Sequence, residues 1–336
     1  MPDIGTFRSW AEEVCWETNF LPVQELSTGL YYSQRNIRSL TIGGTYQSHP
    51  AVLKLYDDPR VCLEPRGLRA FHEHNRSQVL TAPKLLASYM ISAKKGWLIM
   101  EPLPEGGEWY PRPMSLEQRR IFLKLYQEYR TSFPTVSPDE RSWSEHLTAG
   151  EFHSFRIARW FQLANDAIEE AAIFNRPAII DPASFMPGYE WALAVIRKQF
   201  RGRAMIWSLG HFKAKEVYIL NGGQRAYLID FAHVKYYPEG YELAFMAWAD
   251  WMMTDTWRWD RTVWRDGIES WSGDLVDLAA QLGYARPYEL VRASLLERVV
   301  GGITADVLAS DRSPEEKAGY LRHFLPLMRD LTAELR

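Results

Sequence analysis

Three short stretches of this chain hold side chains that could move a proton, bind a hard cation or grip an anion. Ser208-Leu209-Gly210-His211-Phe212-Lys213-Ala214-Lys215-Glu216 sets an imidazole, amines and a carboxylate close together. Tyr227-Leu228-Ile229-Asp230-Phe231 is an apolar run ending in a carboxylate, and Ala51-Val52-Leu53-Lys54-Leu55-Tyr56 sets one lysine among apolar neighbours, with Glu64 further on and Pro65 directly after it. Each has a bland reading: Lys54 as a surface lysine of an edge strand, Glu64 as a charge favoured by a helix start, Asp230 as a turn-capping aspartate. Each also has a chemical one. Carboxylate oxygens suit Mg²⁺. An imidazole with an ordinary pKa near about 6.5 can accept a proton at neutral pH. A lysine on a rigid strand, steadied by a carboxylate, can aim its ammonium at an anion.

The elements that must position these residues follow from periodicity and turn residues. Segments 23–26, 37–42, 51–56, 84–91 and 96–100 have the β-branched and aromatic content of short strands. Between the third and fourth, 63–75 reads as a helix with Leu68 and Phe71 on one face. Glu101-Pro102-Leu103-Pro104-Glu105-Gly106-Gly107 punctuates the chain. Beyond it 115–133, 152–175 and 188–199 are helical by spacing, the first opening on a Ser115/Gln118 capping box. Two strands, 217–220 and 226–229, flank an Asn221-Gly222-Gly223 turn. From 239 onward the pattern is helical, with breaks expected near Gly273, Gly283 and Gly301–Gly302.

In this order the pieces resemble the protein-kinase-like phosphotransferases, above all the aminoglycoside phosphotransferases, choline kinases and their relatives. Ser27-Thr28-Gly29-Leu30 stands where that family has a Gly-containing nucleotide loop between its first two strands. Residues 51–56 resemble its third-strand lysine motif, Leu98-Ile99-Met100-Glu101 its hinge strand, and Glu239-Gly240-Tyr241-Glu242-Leu243-Ala244 its later G-x-x-x-D-L-A segment. The resemblance covers about residues 20–260. It implies an α+β, bilobal fold: residues 1–103 as an N-lobe with a small antiparallel sheet and one main helix, a hinge at about 99–107, and 104–336 as a larger, mainly helical C-lobe. It also implies ATP or GTP with Mg²⁺ and phosphorylation of a hydroxyl on a small molecule. Ser27, Thr28, Gly29, Lys54, Glu64 and Lys213 would serve the nucleotide phosphates, and Glu101 and Leu103 would meet the base through backbone groups. Asp230 and Glu216 would hold the metal. His211, with Asp230 and Lys54, would carry the chemistry.

The resemblance breaks at two positions. His211 stands where the family has its catalytic Asp, and Glu216 where it has a metal-binding Asn. With a neutral imidazole the two exchanges cancel in formal charge. A His base and two carboxylates on the metal make a workable kinase; a protonated His211 could clamp phosphate but not act as base. The alternative is therefore a nucleotide-binding pseudokinase. A further one is a metal-dependent hydrolase using His211, Glu216, Asp230 and His233.

Other features bound the reading. The chain has 336 residues, 46% apolar and 24% charged, with a formal net charge of −3. That is ordinary globular composition without a basic field for nucleic acid or a membrane surface. Cys15 and Cys62 are expected to be free thiols, and with no secretory signal or apolar run of roughly 18–20 residues a cytoplasmic location is expected. His72-Glu73-His74 cannot face one ion from a helix, and His146 with His153 finds no converging partner in the sequence. Trp248, Trp251, Trp257, Trp259, Trp264 and Trp271 are interleaved with Asp250, Asp255, Asp260 and Asp266. Such a cluster could hold a cationic acceptor or simply be helix-packing core.

Overall fold

A computed structural model of the chain describes residues 4–30, 37–58, 63–137, 147–173 and 182–336. It divides into two compact units: Met1–Tyr110 with Lys124–Pro134 and Lys215–Lys235, and Pro111–Leu123 with Thr135–Ala214 and Tyr236–Arg336.

In the first unit, helix α1 (Ile4–Thr18) precedes strands β1 (Leu21–Leu30), β2 (Ile37–Tyr46) and β3 (His49–Asp57), then helix α2 (Glu64–His74). Strands β4 (Leu80–Thr81), β5 (Leu85–Met90), β6 (Lys95–Met100) and β7 (Glu108–Trp109) follow. The main sheet is ordered β1-β2-β3-β6-β5, every pair antiparallel, so β3 is its central strand. Helix α1 is absent from the sequence expectations, although Phe7, Ala11, Val14 and Cys15 recur at helical spacing and are its buried residues. They pack with Leu40, Ile42, Leu53, Leu55 and Ile99 into one apolar cluster. Each large side chain buried there contributes about 1.5–3 kcal/mol.

Residues 27–30 are not the loop that the resemblance implies. They are the paired end of β1, with Ser27 opposite Thr41 and Gly29 opposite Ser39. Bulges let the pairing run on: Val23 and Leu26 are extra residues on β1, and Arg38 is one on β2. The connection between the strands falls at 31–36, outside the described residues, as does Cys62.

Helix α2 opens with Glu64 and Pro65, a start whose missing N–H costs the helix nothing, and ends where the Asn75 N–H bonds to the Phe71 carbonyl at 2.8 Å. A second sheet, β4-β10-β9-β7, contains the hairpin of β9 (Val217–Leu220) and β10 (Arg225–Leu228). Its turn needs positive φ at Asn221, Gly222 and Gly223 in succession, which the Asn-Gly-Gly run tolerates.

The second unit is mainly helical. Helix α3 (Leu116–Ser132), which contributes to both units, starts with the reciprocal Ser115/Gln118 box, both bonds formed at 2.8 and 3.3 Å. Then come α4 (Ala149–Ile173), α5 (Pro182–Phe200), strands β8 (Met205–Ser208) and β11 (Lys235–Pro238), and α6 (Tyr241–Ala247), which widens into a π-helical turn, Trp248–Met252. Helices α7 (Arg261–Gln281), α8 (Pro287–Gly301) and α9 (Pro314–Glu334) complete the unit. The expected break at Gly273 does not occur. Helix α7 runs through it, and a side chain there would meet open space, so only the modest helix penalty of a glycine applies. Gly283, at φ 75°, follows the end of α7. At Gly301–Gly302 the chain keeps winding as a second π-helical turn, Gly302–Leu308. Among the described residues no helix is long and apolar enough to cross a membrane.

Candidate functional site

In the first unit, central strand β3 holds Lys54 and the first turn of α2 holds Glu64, and their side chains meet at 2.5 Å. Glu64 is buried, at 3% side-chain exposure, and Lys54 is half-buried, at 15%. Burial alone would lower the Lys54 ammonium. The charges of Glu64 and Asp230 override it and hold Lys54 above its ordinary value. Burial pushes Glu64 upward, Lys54 pulls against it, and Asp230 adds to the push as a like charge. Lys54, Glu64, Asp230 and Arg38 thus share one electrostatic site, two carboxylates with two cations.

Asp230 is held at φ 62°, in the left-handed region, at the head of the 3₁₀ turn Phe231–His233. That turn is wedged against α2. Phe231 packs on Phe71 at 5.1 Å, and a Cβ at Gly67 would stand 2.7 Å from the Phe231 carbonyl oxygen. Only a glycine admits so close an approach. Glu216 lies at the open end of the β9–β10 pairing: its carbonyl accepts the Ile229 N–H at 3.0 Å, so its backbone lies one step from Asp230 across the hairpin. Its side chain is buried. Two carboxylates at one hairpin end are the donor set Mg²⁺ takes from a protein, the remaining ligands being water and phosphate. Among the described residues no three His, Cys, Asp or Glu side chains gather as a metal-holding group. The four-ligand transition-metal alternative therefore gains no support.

By register, Ser27 and Gly29 share the face of the sheet that carries Lys54, whereas Thr28 pairs with Leu40 on the opposite face. At the exit of β6 the Glu101 N–H is committed to the Lys84 carbonyl at 2.9 Å. No hydrogen bond among the described residues engages the backbone of Leu103. The segment just after is pinned by Tyr218, whose hydroxyl donates to the Pro104 carbonyl at 2.8 Å and accepts the Gly107 N–H at 3.0 Å.

The second unit holds His211 and Lys213. Gly210, at φ 78°, lies where a Cβ would collide with the Tyr237 ring, and its N–H donates to Glu242 Oε1 at 2.6 Å. The His211 ring rests on Phe245, centroids 4.6 Å apart. Phe212 packs on Phe122 at 5.2 Å, and Lys213 is buried. The loop is therefore seated on Tyr237, Glu242 and Phe245. Glu242 had no role in the sequence reading; its signal was its place in the E-G-Y-E-L-A segment.

Half of the tryptophan cluster is core, while Trp248 and Trp251 are half-buried and Trp259 is exposed. Trp257, Trp264 and Trp271 are buried. Asp250 is buried too, accepting from Trp271 Nε1 at 2.9 Å and the Met114 N–H at 2.9 Å. Asp260 caps α7 through the Thr262 N–H at 2.7 Å. Trp248 donates to Asp306 at 3.0 Å. Partners do converge on His153, contrary to the sequence reading: Glu297 lies 3.4 Å away, with Arg156 and Arg298 on the same carboxylate. His146 lies outside the described residues.

No protein-family model matches the chain, and no curated protein matches it by sequence. Solved structures do match in fold. The aminoglycoside phosphotransferase APH(4)-Ia is 14% identical, with a TM-score of 0.57 over 96% of this chain and 99% of its own. A putative aminoglycoside phosphotransferase from Ralstonia eutropha is 12% identical, with a TM-score of 0.57 over 97% and 98%. An ethanolamine kinase from Plasmodium vivax is 13% identical, with a TM-score of 0.55 over 98% and 92%. A thermostable mutant of APH(4)-Ia has been solved with ADP and hygromycin B. The fold of this chain is the α+β, protein-kinase-like fold of these small-molecule phosphotransferases.

Proposed function

We propose that the chain is a nucleotide-dependent phosphotransferase that phosphorylates a hydroxyl of a small molecule, with ATP or GTP as donor. The observation that carries this reading is the Lys54–Glu64 pair within the field of Asp230, on a fold shared with small-molecule kinases. Lys54, kept ionised, would bind phosphate oxygens, and Asp230 with Glu216 would hold Mg²⁺. The bound ion supplies charge neutralisation at the transferred phosphoryl group. His211 would orient the acceptor hydroxyl and take its proton, and the Gly210–Glu242 bond fixes the loop that carries it. Preorganised position and charge are what phosphoryl transfer demands of a protein.

A second reading, nucleotide binding without turnover, is favoured by one observation: the imidazole of His211 is packed on Phe245. One series of measurements separates the two. Thermal unfolding is followed with ATP or GTP, with and without Mg²⁺, and then nucleotide consumption is measured across a library of hydroxyl acceptors. Stabilisation of about 2.7 kcal/mol at a hundred times Kd, dependent on Mg²⁺, and consumption abolished by Asp230→Ala are the expected results. Stabilisation with no consumption across the library would establish the second reading. No stabilisation by either nucleotide would sink both.

A further inference from the structure

No motif in the sequence points to Arg38. In β2, Thr41 pairs with Lys54 and Ser39 with Tyr56 of β3, so Ser39 and Thr41 share the face of Lys54. Strict alternation would send Arg38 to the opposite face, alongside Leu40 and Ile42 of the apolar cluster. A guanidinium there would be buried without counter-charge. The bulge prevents this. Gly29 pairs with Ser39 and Leu30 with Ile37, leaving Arg38 as the extra residue, and a bulge re-aims the side chain it carries.

The result is visible at Gly29, opposite Ser39 and therefore on the Lys54 face. A Cβ there would run into Ser39 Oγ and stand 3.4 Å from Arg38 Cγ and 3.6 Å from Arg38 Nε. The arginine side chain thus runs past Gly29 at ordinary contact distance, beside the Lys54 face. It is half-buried, and among the described residues no hydrogen bond or ion pair engages its guanidinium. Its charge is felt at the salt-bridged pair, opposing the protonated state of both Lys54 and Glu64. A second cation is thus held beside Lys54, at the strand end next to Ser27 and Gly29.

We propose that Arg38 is a phosphate-binding residue, turned by the β2 bulge onto the Lys54 face to hold the polyphosphate of a nucleoside di- or triphosphate. The proposal rests on the nucleotide reading above. A guanidinium fork suits phosphate oxygens, to which it can donate two parallel hydrogen bonds.

Calorimetric titration with ATP, ADP and adenosine tests this on the wild type, Arg38→Gln and Arg38→Lys. Arg38→Gln should weaken ATP and ADP by ~10-fold, the size of one lost charge-assisted contact, and leave adenosine unchanged. Arg38→Lys should recover part of the loss, keeping the charge without the fork. Equal ATP affinity in the wild type and Arg38→Gln would overturn the proposal alone. An equal loss for adenosine would also overturn it, by assigning Arg38 to the architecture of the sheet. A wild type that binds none of the three overturns the nucleotide reading and the proposal together.

Discussion

Glu64 and Glu297 are both almost wholly buried, yet their surroundings drive their carboxyls in opposite directions. Glu64 is pushed up: burial and the neighbouring Asp230 outweigh Lys54 and Arg38. Burial would raise Glu297 as well, but Arg298 at 2.9 Å and Arg156 at 3.2 Å override it and hold the carboxyl well below the usual range. Those guanidiniums are themselves covered by rings, Arg298 by Trp160 and Phe245 and Arg156 by Trp160 and Tyr241, each within 4.4–4.5 Å. At Glu297 two guanidiniums outweigh burial, whereas at Glu64 the pull of Lys54 and Arg38 does not outweigh burial and Asp230. Burial alone does not mark a functional charge. What differs is which influence wins, and at Glu64 burial together with a second carboxylate wins.

The contrast is sharpest when the same isosteric change is made at each glutamate. Glu297→Gln should cost about 3–5 kcal/mol of folding stability, because the buried Arg298 and the half-buried Arg156 lose their counter-ion. Glu64→Gln should cost under about 1.5 kcal/mol, one net hydrogen bond's worth, while weakening nucleotide binding. Urea unfolding of both variants decides this, and equal losses would erase the distinction.

Gly67→Ala comes next. Its new Cβ must push the Phe231 turn away from α2, so a loss of roughly 1–3 kcal/mol is expected, together with weaker Mg²⁺-dependent nucleotide stabilisation in thermal melts. A stability loss without the binding loss would detach the turn from the site.

The smallest effect is a pH dependence in the Glu297 cluster. Burial holds His153 neutral by pushing its imidazole down, against the pull of Glu297. The unfolded chain therefore takes up a proton as pH falls below about 6.5, and the folded chain does not. Stability is fully present above that pH and declines below it by up to about 1.4 kcal/mol per unit. Glu297, ionised in the folded state, adds a second loss below about pH 4.3. Melting temperatures between pH 7.5 and 5.5 should fall less steeply for His153→Phe than for the wild type. Parallel slopes would assign the acid sensitivity elsewhere.

Much of this architecture was legible in the residues. Strands 51–56 and 96–100 and the Ser115/Gln118 helix start announce themselves, because apolar runs and capping pairs are local. Helix α1 was equally legible in the spacing of Phe7, Ala11, Val14 and Cys15, and only its position before a strand-rich region hid it. Arg38 was not legible. Sequence alternation assigns it to the core face, and only the inter-strand register reveals the bulge that reverses it. The π-helical turns at Trp248–Met252 and Gly302–Leu308 left no sequence signal either, since their extra residue resembles ordinary helix. Glu242 was visible by position, but its bond to Gly210 joins residues 32 apart in the chain.

The bare backbone at Gly67 sets a tolerance. Helix α2 and the Phe231 turn meet there at the Phe231 carbonyl, with Phe231 Cβ and a Val234 methyl beside it, so neither can advance far on the other. The carboxylate that steadies Lys54 and the carboxylate at the strand end are therefore mounted on one rigid joint. Their separation behaves as a single dimension of the part, and a displacement of either is transmitted to both.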